Sequence, residues 1–272
     1  MPSWKVFIAL FLLSLYQGYA TEYQPWLGNF YEFELRTSGQ YQGYTWLSSD
    51  SHLKKYYSND VFLNVSLSNA RPDPAIGTEV EITQARTRRQ RGDIDQLKVT
   101  GRYVWQDDVA GDPLSLMTGL SYTQAFYYSL RDVSSFHHGF SNIELFISLG
   151  KENPDESVWA SRWWGMLAIG VAERGSPWFR LHLNYEKRWR EKHEVKTFLS
   201  SLWGLGHKRL HPHHFHGYGS IQHQSIDLGL RYTYLLELYG SASLEYSYRI
   251  YARNFPAFTH QVLAQLLYTF GL

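Results

Sequence analysis

Cysteine is absent from all 272 residues, which removes disulfides, thiolate metal sites and cysteine nucleophiles from consideration. Net charge is nearly absent as well. The 26 basic residues stand against 25 acidic ones, so the chain lacks the lopsided basic surface of a nucleic-acid binder. Long apolar runs are missing beyond the N-terminus. A membrane-crossing helix takes about 20 apolar residues to span roughly 30 Å of hydrocarbon, so a helical membrane protein is excluded. Fixed-period repeats and Pro/Ser/Gly-rich linkers are lacking too, which leaves one domain as the simplest organisation.

The one apolar run, Val6 to Leu15, follows Lys5 and precedes the small residues of Gly18-Tyr19-Ala20. Ten residues are too few for a membrane anchor. Charge, apolar run and small residues stand in the order of a secretory signal. Residues 1–20 are therefore expected to be a signal peptide cut after Ala20, and residues 21–272 to form one exported domain.

What the chain has in excess is aromatic residues. Tyrosine, phenylalanine and tryptophan number 21, 15 and 10 and make up 17% of the sequence, yet mean hydropathy is negative. A water-soluble core does not easily accommodate so many rings with polar tips, whereas a transmembrane barrel sets them in girdles at both interfaces. Periodicity points the same way. Phe179, Leu181, Leu183 and Tyr185 alternate with Arg180, His182, Asn184 and Glu186, a separation that a strand can make and a helix cannot. Ile226, Leu228, Leu230, Tyr232 and Tyr234 alternate in the same way with Ser225, Asp227, Gly229, Arg231 and Thr233.

Turn residues divide the chain into twelve expected strands, near 28–47, 61–68, 78–86, 94–106, 114–128, 138–149, 158–172, 176–189, 193–204, 219–235, 238–252 and 260–270. Ser38-Gly39-Gln40 marks a bulge or turn within the first. A soluble sandwich or lipocalin-like barrel also alternates, but twelve strands and this aromatic load favour an all-β, antiparallel transmembrane β-barrel. The last strand ends Leu266, Tyr268, Phe270, Leu272 at alternate positions. This resembles the C-terminal assembly signal of bacterial outer-membrane β-barrel proteins, although that signal usually closes on Phe. The resemblance implies residence in the cell outer membrane of a Gram-negative envelope, contact with its lipid, and insertion by barrel-assembly machinery.

Function in such a fold is sought on the inward face. The polar parity offers Arg162, Arg180, His182, Glu186, Arg188, Arg231, Glu245 and Arg249 as lumen or solute-binding residues. They can line a wet channel or cross-link a filled interior. Guanidinium groups bind carboxylate and phosphate well, so passive passage of small polar or anionic solutes is the leading expectation. Two alternatives are weighed beside it. His223-Gln224-Ser225 resembles the His-x-Ser of outer-membrane phospholipases and lipid A deacylases, which implies a lipid hydrolase with His223 and Ser225 as base and nucleophile. Those families commonly continue with Asn, where this chain has Ile226-Asp227, and Glu237 lies too far along the strand to complete a triad. The second alternative is a structural or adhesive surface protein. The stretch His207, His211, His213, His214 and His216 falls in an expected outer loop, where His211, His213, His214 and His216 are the candidate metal ligands and a plain polar loop is the competing reading. Arg86, Arg88, Arg89 and Arg91 form a basic outer loop suited to anionic lipid. No cofactor is expected. Whether the segment Glu22 to Gly28 enters the lumen is left open.

Overall fold

A computed structural model describes residues 23–49, 52–155, 158–236 and 240–271. The expected signal segment lies outside these residues. The chain is a closed antiparallel meander of long strands: β1 (Glu32–Ser49), β2 (His52–Pro72), β3 (Ala75–Arg86), β4 (Arg91–Gln106), β5 (Ser115–Ala125), β6 (Ser141–Asp155), β7 (Val158–Ala172), β8 (Trp178–Trp189), β9 (His193–Gly204), β10 (Gln224–Leu235), β11 (Gly240–Arg253) and β13 (His260–Gly271). The two-residue β12 (Pro256–Ala257) pairs with the far end of β1. Consecutive long strands are neighbours throughout. Pairing of Glu32 with Gly271 and of Phe33 with Asn69 puts β1 between β13 and β2 and closes the barrel.

Closure follows from the alternation. Val65, Ile82, Leu145, Leu167, Leu183 and Leu230 are exposed on the outer wall, while Ser66, Glu81, Thr100, Ser121 and Ser148 are buried inside. Such an inside-out distribution is stable only with hydrocarbon around it. The twelve long strands have 11 to 21 residues, most of them more than the 9–11 or so that cross a bilayer, so the sheet stands proud of the membrane.

Three expectations are corrected. The first strand is not interrupted at Ser38–Gln40, where its register with both neighbours is unbroken, and its irregularity lies between Tyr44 and Trp46. The connection expected between the strands near 138–149 and 158–172 is instead strand as far as Asp155. β10 starts at Gln224 rather than near 219, so His223 is a loop residue and not part of the strand face.

The two longest connections, 126–140 and 205–223, lie at one end of the barrel, and both chain ends lie at the other, where most connections are short and the one of residues 107–114 is longer. The β8–β9 turn is tight, three residues between the paired Trp189 and His193, with Arg190 (φ 52°) and Glu191 (φ 58°) both in the left-handed conformation.

The lumen is covered at both ends. From the inner end, the segment before β1 enters the barrel, and Tyr23 and Trp26 pack with Met117, Phe146, Trp164, Met166 and Ala168 in one buried cluster. These inward apolar residues of β5, β6 and β7 interrupt an otherwise polar wall, and the segment is what covers them. The Tyr23 hydroxyl receives hydrogen bonds from Lys98 Nζ and Arg180 Nη2, each at 2.7 Å. Trp26 Nε1 donates to Asp108 Oδ1 at 2.9 Å. At the outer end, residues 126–140, 205–223 and 254–259 fold inward. Val133, Leu210, Phe215, Tyr218, Ile221 and Phe255 join Tyr44 and Leu47 of β1 in a second buried cluster. Tyr218 N donates to His137 O at 2.7 Å and Gly219 N to His138 O at 3.0 Å, which joins two of the loops through their backbones.

Candidate functional site

Between plug and cap the lumen keeps a cavity of about 300 Å³. Its wall is set by strand register. Inward residues Arg180, His182 and Asn184 of β8 face Ala168, Met166 and Trp164 of β7, and Leu202, Ser200 and Phe198 of β9. Five cations line it, Lys98, Arg180, Lys196, Arg231 and Arg249, against three carboxylates, Glu144, Asp227 and Glu245.

The charges are held against the wall by partners on neighbouring strands. Arg231 Nε donates to Glu245 at 2.7 Å, and Arg249 makes two bonds to Asp227 at 2.7 and 3.0 Å. Both are direct cross-strand pairs of β10 and β11. Arg180 reaches Glu144 across β7, where the intervening positions are the small Ala168 and Gly170. Pairs this deeply placed cost several kcal/mol to break, about 3–5, because the partner left behind is an uncompensated charge.

Of the eight lumen residues expected from the sequence, Arg180, His182, Arg231, Glu245 and Arg249 line this chamber. The other three stand nearer the inner end in a ladder of ion pairs. Arg162 bridges Glu186 and Glu152, Lys196 also reaches Glu186 at 3.7 Å, and Arg188 pairs with Glu194. Glu152, Glu194 and Lys196 were not anticipated as partners, although each falls opposite its mate once the register is fixed. Trp164 and Trp178 were missed although they share the inward parity, and Asn184 was placed on the polar face without being counted among the lumen residues.

The alternative sites are not assembled. His223 is fully buried under the cap. Its Nδ1 bonds Ile221 O at 3.0 Å and its Nε2 faces His138 Nε2 at 3.2 Å. No hydrogen bond joins it to Ser225 among the described residues. Ser225 faces the lumen chamber, not the lipid edge where a lipid hydrolase would meet its substrate, and Glu237 lies outside the described residues. The carbonyl at Ile221 requires a proton on His223 Nδ1, so in the neutral pair Nε2 accepts from His138 Nε2–H. Burial, and then the neighbouring His223, holds the His138 imidazole well below its ordinary value, and burial pushes His223 down to about 4.

His207, His211, His213, His214 and His216 are all exposed, and no group of three or more His, Asp or Glu side chains placed to hold a metal comes together among the described residues. Their loop does meet the one bearing His137 and His138, but His137 turns inward to Asp95 at 2.9 Å. In the basic loop, Arg86 and Arg91 are cross-strand partners. Arg88 covers the Tyr56 ring, and Arg89 donates to Pro212 O at 3.2 Å.

No family model matches the sequence, and no curated protein matches it either. Solved structures do share its architecture. An outer-membrane channel from Pseudomonas putida F1 is 8% identical, with a TM-score of 0.68 over 93% of this chain and 100% of its own. The KdgM porin is 11% identical, with a TM-score of 0.53 over 88% of this chain and 99% of its own. The corresponding values for the NanC porin are 8%, 0.54, 87% and 98%. The chain is an outer-membrane β-barrel. Identities at this level establish the fold and leave function to be argued from the chamber.

Proposed function

We propose that this barrel is a passive channel for small polar solutes, with a preference for anions. The observation that carries the reading is the chamber of about 300 Å³ that remains between plug and cap, lined by polar and charged side chains with arginines among them. A barrel serving only as a structural anchor gains nothing from unfilled polar volume, whereas a conduit needs it. The two covers are a short N-terminal segment and three loops, which are the kinds of element that open locally while strands stay paired. The architecture is shared with an outer-membrane channel and two porins, which agrees with this reading.

The test is single-channel recording in planar bilayers of the folded chain beside a Tyr23→Ala/Trp26→Ala variant with a loosened plug. Steady ohmic currents, larger in the variant, are expected. Silence from both folded proteins would overturn the channel.

A further inference from the structure

The outer rim of the barrel buries two carboxylates, Asp60 and Asp132, whose hydrogen-bond donors are all neutral. Asp60 lies on the inward parity of β2 beside Ser58, opposite Gln42 and Tyr44 of β1. The loop of residues 126–140 lays Asp132 and Ser134 over these four. All six side chains are buried, Gln42, Asp60 and Asp132 completely. Tyr44 Oη and Ser134 Oγ lie 2.7 Å apart, Ser58 Oγ donates to Asp60 Oδ1 at 2.6 Å, and Ser134 N donates to Asp132 Oδ1 at 3.0 Å. The Ser134 hydroxyl lies against both carboxylates. No cationic side chain forms an ion pair with either among the described residues. Arg88 and Arg89 of the neighbouring loop turn instead to the Tyr56 ring, Tyr57 O and Pro212 O.

Buried charges without a counter-charge are costly, and a separate feature points to what offsets them. Gln42 is the direct cross-strand partner of Asp60, and its carboxamide sits against the Asp60 carboxylate. Yet neither Oε1 nor Nε2 of Gln42 makes a hydrogen bond, and neither does Asp60 Oδ2. Buried polar atoms nearly always have a partner. Two of these three are acceptor oxygens on adjoining residues, and a cation between them satisfies both.

The ligand chemistry narrows the cation. Carboxylate, carboxamide and hydroxyl oxygens suit a hard ion better than zinc or copper, which prefer nitrogen and sulfur. Two negative charges call for a dication. Magnesium keeps several waters in a near-octahedral shell, whereas calcium accepts protein oxygens in irregular shells of about six to eight. Burial this complete favours calcium. Only two of the ligands are carboxylates and none is histidine, so the site is not of the three-group kind that the described residues lack.

We infer that Gln42, Asp60, Asp132 and Ser134 form a calcium site that fastens the 126–140 loop to the inner wall of β1 and β2. Strand register fixes two of the ligands and the loop carries the other two, so ion binding and loop docking are coupled. The site is independent of what the lumen conducts.

The probe is calcium chloride, titrated by calorimetry at pH 7.5 into the folded barrel in detergent after chelator treatment, with magnesium chloride as the rival. Calcium is expected to bind with a Kd below about 1 mM and at least about tenfold more tightly than magnesium. Asp60→Asn is expected to weaken calcium by about tenfold or more. Gln42→Leu, which keeps both carboxylates, should weaken it several-fold. Asp132 is left intact because it also orders its loop through Ser134 N and Thr87. Protection of the 126–140 amides against hydrogen exchange should rise several-fold with calcium in the parent chain and not in Asp60→Asn. Heat-modifiable gel migration verifies that each variant is folded. Equal affinity for magnesium, or calcium binding undiminished in both folded variants, would overturn the site. Binding without added protection would overturn the fastening of the loop. Neither heat nor added protection would mean that water or a proton satisfies the two carboxylates, and would overturn the proposal as a whole.

Discussion

The Nε2 atoms of His138 and His223 meet at 3.2 Å beneath the outer cap, with the His138 ring stacked on Trp178 at 3.7 Å. One proton between the two buried imidazoles is a bond, whereas a second proton at that contact turns His223 into a buried cation whose N–H faces the N–H of His138, with the charges of Arg180 and His137 acting on the pair as well. Both imidazoles titrate below the ordinary 6.5 in the folded cap, His223 at about 4. The open cap therefore binds more protons than the closed one in that interval. Closure is fully favoured above pH 6.5 and weakens as pH falls from there toward 4. Protection factors of the 126–140 and 205–223 amides, taken relative to intrinsic exchange at each pH, should be several times lower at pH 5 than at pH 7.5, and His223→Gln should flatten that response. Equal protection at both pH values would refute the assignment.

Nearly all of the strand order was legible before the structure because lipid on one side and a wet lumen on the other enforce a period of two. Where lipid ends, so does the pattern. His52–Asp60 belongs to β2, but it stands beyond the lipid and carries Lys54 and Lys55 on neighbouring positions, so no apolar parity revealed it. The plug was illegible for a different reason: Tyr23 and Trp26 belong to no periodic element. Its seat was readable in principle, since Met117, Phe146, Trp164 and Met166 are apolar residues of the inward parity. The histidine pair escaped notice because His138 and His223 are 85 residues apart and are joined only when two loops fold over the lumen.

Tyr23 is the residue on which plug docking depends most. Its ring meets Phe146 edge-on at 4.9 Å, and its hydroxyl takes both Lys98 and Arg180. Truncation to alanine removes a buried aromatic worth about 3 kcal/mol, enough to shift the docked population by roughly a hundredfold. Tyr23→Ala alone should raise mean single-channel conductance or open probability, while Tyr23→Phe, which keeps the ring, should show a smaller change. Identical traces from Tyr23→Ala and the parent chain would mean that the plug does not limit flow.

Arg231 and Glu245 test whether wall pairs set selectivity. They are bonded across β10 and β11 at 2.7 Å on the chamber wall, so removing either charge exposes the other to the solute. Glu245→Gln should move the reversal potential in a KCl gradient toward anion preference and Arg231→Gln toward cation preference, with roughly twofold or greater changes in permeability ratio. Shifts of the same sign in both variants would show that the pair acts through the shape of the lumen and not through its charge.

Gly229 and Phe198 are cross-strand partners, and the outer edge of the Phe198 ring occupies the space a Cβ on the glycine would take. The same device recurs where Phe146 covers Gly119 and Trp178 covers Gly170, and it keeps large rings against the wall so that they leave the lumen open. Gly229→Val must displace the ring toward the chamber. Overpacking of this kind costs about 1–3 kcal/mol, to be read from urea unfolding in lipid. Because the cost arises from one contact, Gly229→Val/Phe198→Ala should be less destabilised than the sum of its single variants by about 1 kcal/mol or more. Additive losses would place the strain in the β9–β10 backbone instead of in the ring.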